Sequence, residues 1–300
     1  MTDISDDELV GLSEFALLPE NAEQAGFTGP LPTVRRVEAN GISALQWGDA
    51  APRAVFFHGG GQNAHTWDTV IVGLGVPALA VDLPGHGHSA WRDDGDYSPQ
   101  NNAAAIAPVI NDLAPDAKLV VGMSLGGLTA IGLGAIAPQL VRELVLIDVT
   151  PSALRRYAEM TTDQQGTVAL VAGERNFPSF DAILEVTTAA APHRDRKSLR
   201  RGVFHNSRRL DDGTWTWRYD SIRKIPDFES LWGDFAGLAV PVRLVRGGTS
   251  GFVTDEDADE LARRAQRFQG IQVVENSGHS VQSDQPLVLT EILRGVLAGG

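Results

Sequence analysis

The stretch from Lys118 to Ala137 constrains this chain most. Lys118 to Val121 is an apolar run of the kind a strand buried on both faces requires, and Leu125 to Ala137 is a run of small residues and leucine that reads as helix. Only Gly122-Met123-Ser124-Leu125-Gly126 is left to turn one into the other. So abrupt a turn forces its middle residue into strained backbone and crowds the neighbours, which calls for glycine two before and two after. Ser124 is then expected to stand alone at the head of a helix, beside N–H groups that have no intrahelical partner. With 32 glycines among 300 residues the pentapeptide says little alone; the strand before it and the helix after it give it meaning.

Charge and composition narrow the partners. A net charge of −13 and a pI near 4.9 argue against nucleic acid or an anionic membrane, since either would repel such a surface. There is no cysteine, which removes disulfides, thiolate catalysis and Cys-based metal sites. The chain starts acidic, with no basic segment ahead of an apolar core, and no later apolar stretch is long enough for a bilayer. A cytoplasmic protein without a membrane span is expected.

Residues 1–30 read as an N-terminal extension. Leu9, Val10, Leu12, Phe15, Ala16 and Leu18 fit one face of a short helix, packed on its own domain or in a dimer contact. Val34 to Ala39 and Ile42 to Trp47 flank Asn40-Gly41, a strong hairpin signal. Arg53 to Phe57 is the next strand and runs into His58-Gly59-Gly60-Gly61. Three successive glycines leave backbone amides open to a negatively charged oxygen, or simply make a flexible loop. This loop follows one strand as the Ser124 turn follows another, and such strand ends gather on one edge of an open α/β sheet.

Asn63 to Leu74 reads as helix and Pro77 to Val81 as a parallel strand ending in Asp82-Leu83-Pro84-Gly85-His86-Gly87-His88. The His-x-His spacing lacks third and fourth ligands, so no metal is expected and the loop reads as locally hydrogen-bonded. Ser98 caps a helix over Pro99 to Leu113, and Glu143 to Ile147 is a strand closing on Asp148.

From Thr150 to about Phe235 this alternation stops, and the segment reads as a mainly helical insertion over the active edge of the sheet. Trp215, Trp217, Tyr219, Phe228, Trp232 and Phe235 could line an apolar acyl pocket or form a small core of the insertion. The basic cluster from Arg194 to Arg209 reads as a solvated face in preference to an anion site. Regular order then resumes through Val240 to Val245, a helix over Asp255 to Phe268 capped by Thr254, Ile271 to Val274, and a final helix over Gln285 to Leu297. A serine hydroxyl is a poor nucleophile at neutral pH and needs a base. His279, just past the last strand in Ser277-Gly278-His279, is the histidine placed to supply one.

From about residue 33 onward the chain resembles the α/β-hydrolases. The resemblance rests on His58-Gly59-Gly60 after the third strand, Asp82 to Gly87 after the fourth, the Gly122 to Gly126 turn and Ser277-Gly278-His279. It implies an eight-stranded, mostly parallel sheet with helices on both faces and a helical cap after strand six. The domains would be a core of residues 31–149 and 236–300 and a cap of 150–235. It also implies an oxyanion hole from the N–H groups of Gly60 and Leu125. Within the superfamily the chain is most similar to bacterial serine carboxylesterases with a modest helical cap.

One departure matters. Many members carry the triad acid after strand seven in a Gly-x-x-Asp pattern, yet Gly247-Gly248-Thr249-Ser250 puts serine there. Others take it from the end of strand six, which Asp148 matches, with Asp255 and Asp257 as the alternatives at the head of a helix. The function so implied is hydrolysis of a small carboxylic ester of short to medium acyl length by Ser124, His279 and Asp148, with no cofactor. Its rivals are carbon–carbon bond hydrolysis by the same triad and a ligand-binding protein that has kept the fold. Ser124 argues against the members that use an aspartate nucleophile.

Overall fold

The computed structural model describes residues 6–221, 223–224 and 227–299. The first five residues of the extension expected at 1–30, residues 222, 225 and 226 of the insertion expected at 150–235, and Gly300 lie outside the described residues.

Among the described residues the strands are β1 (Val34–Ala39), β2 (Ile42–Trp47), β3 (Ala54–Phe57), β4 (Ala78–Val81), β5 (Leu119–Met123), β6 (Leu144–Ile147), β7 (Asn176–Phe177), β8 (Ser207–Arg209), β9 (Trp215–Trp217), β10 (Pro241–Gly247) and β11 (Arg267–Val274). Eight of them form one sheet in the order β1-β2-β4-β3-β5-β6-β10-β11. The β1–β2 and β2–β4 pairs are antiparallel and every later pair is parallel. The hairpin turns at Asn40 and Gly41, both at positive φ, as a two-residue turn of matching twist demands.

Successive side chains of a strand face opposite sides, and β5 shows it. Val120 packs with the helices Pro99–Leu113 and Leu125–Ile136, whereas Leu119, Val121 and Met123 pack with Asp68–Leu74 and Pro286–Gly299 on the other face. Burial on both faces is why the central strands read as unbroken apolar runs. The segment expected as one helix over Asn63 to Leu74 divides: Ala64–Trp67 is a 3-10 turn capped by Asn63, and the α-helix begins at Asp68. Among the described residues no helix is long and apolar enough to cross a membrane.

Two regions differ from expectation. The inserted segment is helical, but β7, β9 and β8 also form a small antiparallel sheet inside it. These strands are two or three residues long, too short for an alternating pattern to register. The N-terminal extension is two short helices, Asp6–Gly11 and Leu18–Gln24, not one. Leu9 is buried among Phe177, Phe180 and Leu199 of the insertion, while Leu18 and Ala22 pack on the main core. The extension therefore touches both.

Candidate active site

Ser124 joins β5 to the helix Leu125–Ile136 with φ 50° and ψ −119°, a conformation that costs about 1–3 kcal/mol and that the surroundings must enforce. The crowding expected of the flanking glycines is present. A Cβ on Gly122 would come within 2.5 Å of the Gly126 carbonyl, and one on Gly126 within 2.3 Å of the Phe57 carbonyl. The Ser124 N–H donates to the Ile147 carbonyl at 3.1 Å, tying the turn to the end of β6.

The next residue along β6, Asp148, is also at positive φ (50°) and fully buried. Its carboxylate is held from three directions. Gly247 N–H donates to Oδ1 at 3.0 Å, the Ser250 hydroxyl to Oδ2 at 2.5 Å, and His279 Nδ1–H to Oδ2 at 2.8 Å. The serine that stands where many relatives carry the acid thus serves as a donor to an acid on the neighbouring strand. In the sequence alone Ser250 is legible only as a missing acid. Phe252 stacks on the His279 ring, with centroids 3.7 Å apart and planes at 18°, and closes the face of the imidazole. With Nδ1–H bound to the carboxylate, Nε2 carries the lone pair; it is buried and has no hydrogen-bond partner among the described residues. Ser124 and His279 line one cavity of about 900 Å³.

The two other acids are occupied elsewhere. Asp255 pairs with Arg246 at 2.6 Å. Asp257 closes a capping box with Thr254 and accepts from Arg156 at 2.7 Å, and those bonds hold its carboxyl below the usual range although burial opposes them.

The loop after β3 is set by buried His58. Its Nδ1–H donates to the Gly59 carbonyl at 2.7 Å, and Nε2 accepts from Leu83 N–H at 2.9 Å, linking this loop to the one after β4. Burial, with help from nearby His86, pushes the imidazole down to about 3, so the link stays neutral. Gly59 N–H is taken by Gln62 Oε1 at 3.1 Å. Gly60 borders the cavity with Leu125, and a Cβ on Gly60 would meet nothing within 4 Å. Gly60 is therefore the residue of this loop beside which space is open. His86 Nδ1–H donates to the Pro84 carbonyl at 3.0 Å, as expected of a locally bonded loop.

The insertion covers this edge. Trp215, Trp217 and Tyr219 help form a small core of the insertion, and Trp217, Tyr219 and Phe228 also border the cavity, whereas Trp232 and Phe235 take neither expected role and join the main core. The basic cluster is only in part the solvated face expected from the sequence: Arg196, Arg208 and Arg209 are exposed, while Arg194, Lys197 and Arg200 are half-buried and Arg201 is buried. Arg200 and Arg201 pair with Glu20, Lys197 with Glu23 and Arg209 with Asp7, all in the N-terminal extension, and Arg194 pairs with Asp284. Arg201 is only 5% exposed. Glu14 bonds Arg36 and His65, and those partners hold it down to about 2 against the effect of burial. His65 sits between Asp68 and Glu14; burial opposes its charge, but the two carboxylates raise it to about 9.

Residues 54–292 match the alpha/beta hydrolase family, and the chain belongs to it. Esterase Rv0045c of Mycobacterium tuberculosis (strain ATCC 25618 / H37Rv) is 71% identical over 294 residues, spanning 98% of this chain and 99% of that one. A solved structure of the same esterase, from work on its transition metal inhibition and structural refinement, superposes with a TM-score of 0.89 over 96% of this chain and 99% of its own. The fold is shared more distantly by E-2-(acetamidomethylene)succinate hydrolase, at 23% identity and a TM-score of 0.73 over 89% and 99% of the two chains.

Proposed function

We propose that this chain is a carboxylic ester hydrolase in which Ser124 is the nucleophile, His279 the general base and acid, and Asp148 the orienting carboxylate. The observation that carries the reading is the His279 ring. Nδ1 is fixed by Asp148, while Nε2 is buried without a partner in a cavity that Ser124 also borders. Nε2 takes the Ser124 proton as the hydroxyl attacks the ester carbonyl, then delivers it to the leaving alcohol. Water repeats the sequence on the acyl-enzyme. The Gly60 and Leu125 N–H groups hold the oxyanion, the second aided by its place at a helix N-terminus.

The substrate is a small ester, and Leu154, Val168, Leu170 and Val171 offer its acyl chain an apolar wall. Short to medium acyl chains fit the modest insertion above it. Likeness to Rv0045c supports the ester specificity. A panel of aryl esters of increasing acyl length, assayed beside a vinylogous diketone, tests the reading: ester turnover with a maximum at short or medium length is expected. Cleavage of the diketone alone would replace it with carbon–carbon bond hydrolysis.

A further inference from the structure

Among the described residues, Arg175, Arg194, Arg201 and Lys224 are the lysines and arginines that border the cavity of Ser124 and His279. Three of them are neutralised by this chain's own acids: Arg194 pairs with Asp284 at 2.5 Å, Arg201 with Glu20 at 3.3 Å and Lys224 with Asp96 at 3.4 Å. Arg175 has no carboxylate partner among the described residues. The acid beside it in sequence, Glu174, instead accepts at Oε1 from the N–H groups of Arg175 and Asn176, at 2.9 and 3.0 Å. Asp220, which also borders the cavity, accepts from the Tyr97 hydroxyl at 2.5 Å and from Arg223 at 3.4 Å.

The Arg175 guanidinium is held at one edge only. Nη2 donates to the Tyr219 carbonyl, and Cζ lies 5.2 Å from the centroid of the Tyr219 ring. Nη1 is buried and has no hydrogen-bond partner among the described residues. A buried charged donor left so is costly unless an anion reaches it. Tyr219 also links this group to the reacting centre. Its hydroxyl donates to the Leu170 carbonyl at 3.3 Å, and a Cβ on Gly61, the neighbour of Gly60, would meet Val171 at 2.5 Å and the Tyr219 ring at 3.7 Å. Leu170, Val171 and Tyr219 therefore lead from the loop after β3 to Arg175.

We propose that Arg175 selects esters whose acyl chain ends in a carboxylate, that is, monoesters of dicarboxylic acids. The inference rests on the esterase reading and names the substrate class of that same site. The acyl chain lies along Leu170 and Val171, and Nη1–H donates to its far carboxylate once the half-buried Arg175 side chain turns about its bond to the Tyr219 carbonyl. Such a charge-assisted bond is roughly twice as strong as a neutral one. One unpaired guanidinium matches one carboxylate, whereas a phosphate would bring almost two negative charges to a chain already at −13. The carboxylate is far from the reacting carbonyl and is held alike in the ground and transition states, so the contact lowers KM and leaves kcat as it is.

The test pairs the monomethyl esters of glutaric, adipic and suberic acid with twins in which the free carboxyl is a carboxamide. For the best-fitting length, full-length wild type is expected to show a KM at least about tenfold lower for the carboxylate than for the amide, with similar kcat. Arg175→Gln, which can still donate to the Tyr219 carbonyl, should close that gap to about twofold or less, and Arg175→Lys should restore part of it. Lys224→Gln removes a cation that Asp96 already neutralises and should keep the gap. Equal KM values for the twins in wild type, a gap that survives Arg175→Gln, or one lost as fully in Lys224→Gln would each overturn the proposal. Calorimetric binding of the same twins to Ser124→Ala, with and without Arg175→Gln, gives a readout free of turnover. An Arg175-dependent preference for the carboxylate there, with neither ester cleaved by wild type, would fail the esterase reading and leave the carboxylate site standing. Cleavage of both twins without preference would do the reverse.

Discussion

The sheet edge that carries Ser124 and the seam between the insertion and the core are built by different means. At the edge the main chain does the positioning. Ser124 and Asp148 both sit at positive φ, glycines leave room for carbonyls, and backbone N–H groups bind the Asp148 carboxylate and fix the Ser124 turn. At the seam, long side chains do it: Arg156 to Asp257, Arg194 to Asp284, and Arg200 and Arg201 to Glu20 of the extension that packs on the core. Backbone geometry tolerates no drift, as acyl transfer demands, whereas ion pairs can part and re-form as a substrate enters.

Substitutions at the edge should abolish chemistry and leave the fold, while those at the seam should do the reverse. The largest effect is expected of Ser124→Ala, which should lower kcat about 10⁶-fold with little change in Tm. Asp148→Asn should cost about 10⁴-fold in kcat, because the amide leaves the wrong His279 tautomer, while Asp257→Asn keeps turnover near wild type. A reversal of those two results in an ester assay would move the acid role to Asp257. Ser250→Ala removes one of three donors to Asp148 and should lower kcat roughly tenfold, with KM unchanged.

At the seam, Glu20→Gln leaves the buried Arg201 without its carboxylate. A loss of about 2 kcal/mol in denaturant unfolding is expected, with kcat within a few-fold of wild type. The smallest effect is one of pH. Asp257 titrates lower in the folded chain than in the unfolded one, so its contribution to stability is complete above the ordinary carboxylate value and fades as pH falls through the folded value. Tm measured through that acid range should therefore fall less in Asp257→Asn than in wild type.

The same contrast decides what could be read from the sequence. The core strands are legible because burial on both faces leaves apolar runs, and the Gly122 to Gly126 turn because steric crowding restricts residue type within five positions. His279 stands out by its place after the last strand. The donor role of Ser250 is not legible, since it depends on β6 and β10 lying side by side and bringing residue 250 to residue 148. Arg200 and Arg201 are misread for a like reason. A basic run is usually solvated, and the acidic partner of these two, Glu20, lies some 180 residues earlier in the chain. His65 and His205 come together only because a helix of the insertion folds back over the 3-10 turn after β3.

The most direct measurement is of the nucleophile itself. Full-length protein treated with a fluorophosphonate should carry one adduct, which peptide mass spectrometry places on Ser124, and labelling should fall by orders of magnitude in His279→Gln. An enzyme that hydrolyses esters but remains unlabelled, or carries the adduct on another residue, would contradict the assignment of Ser124 and His279.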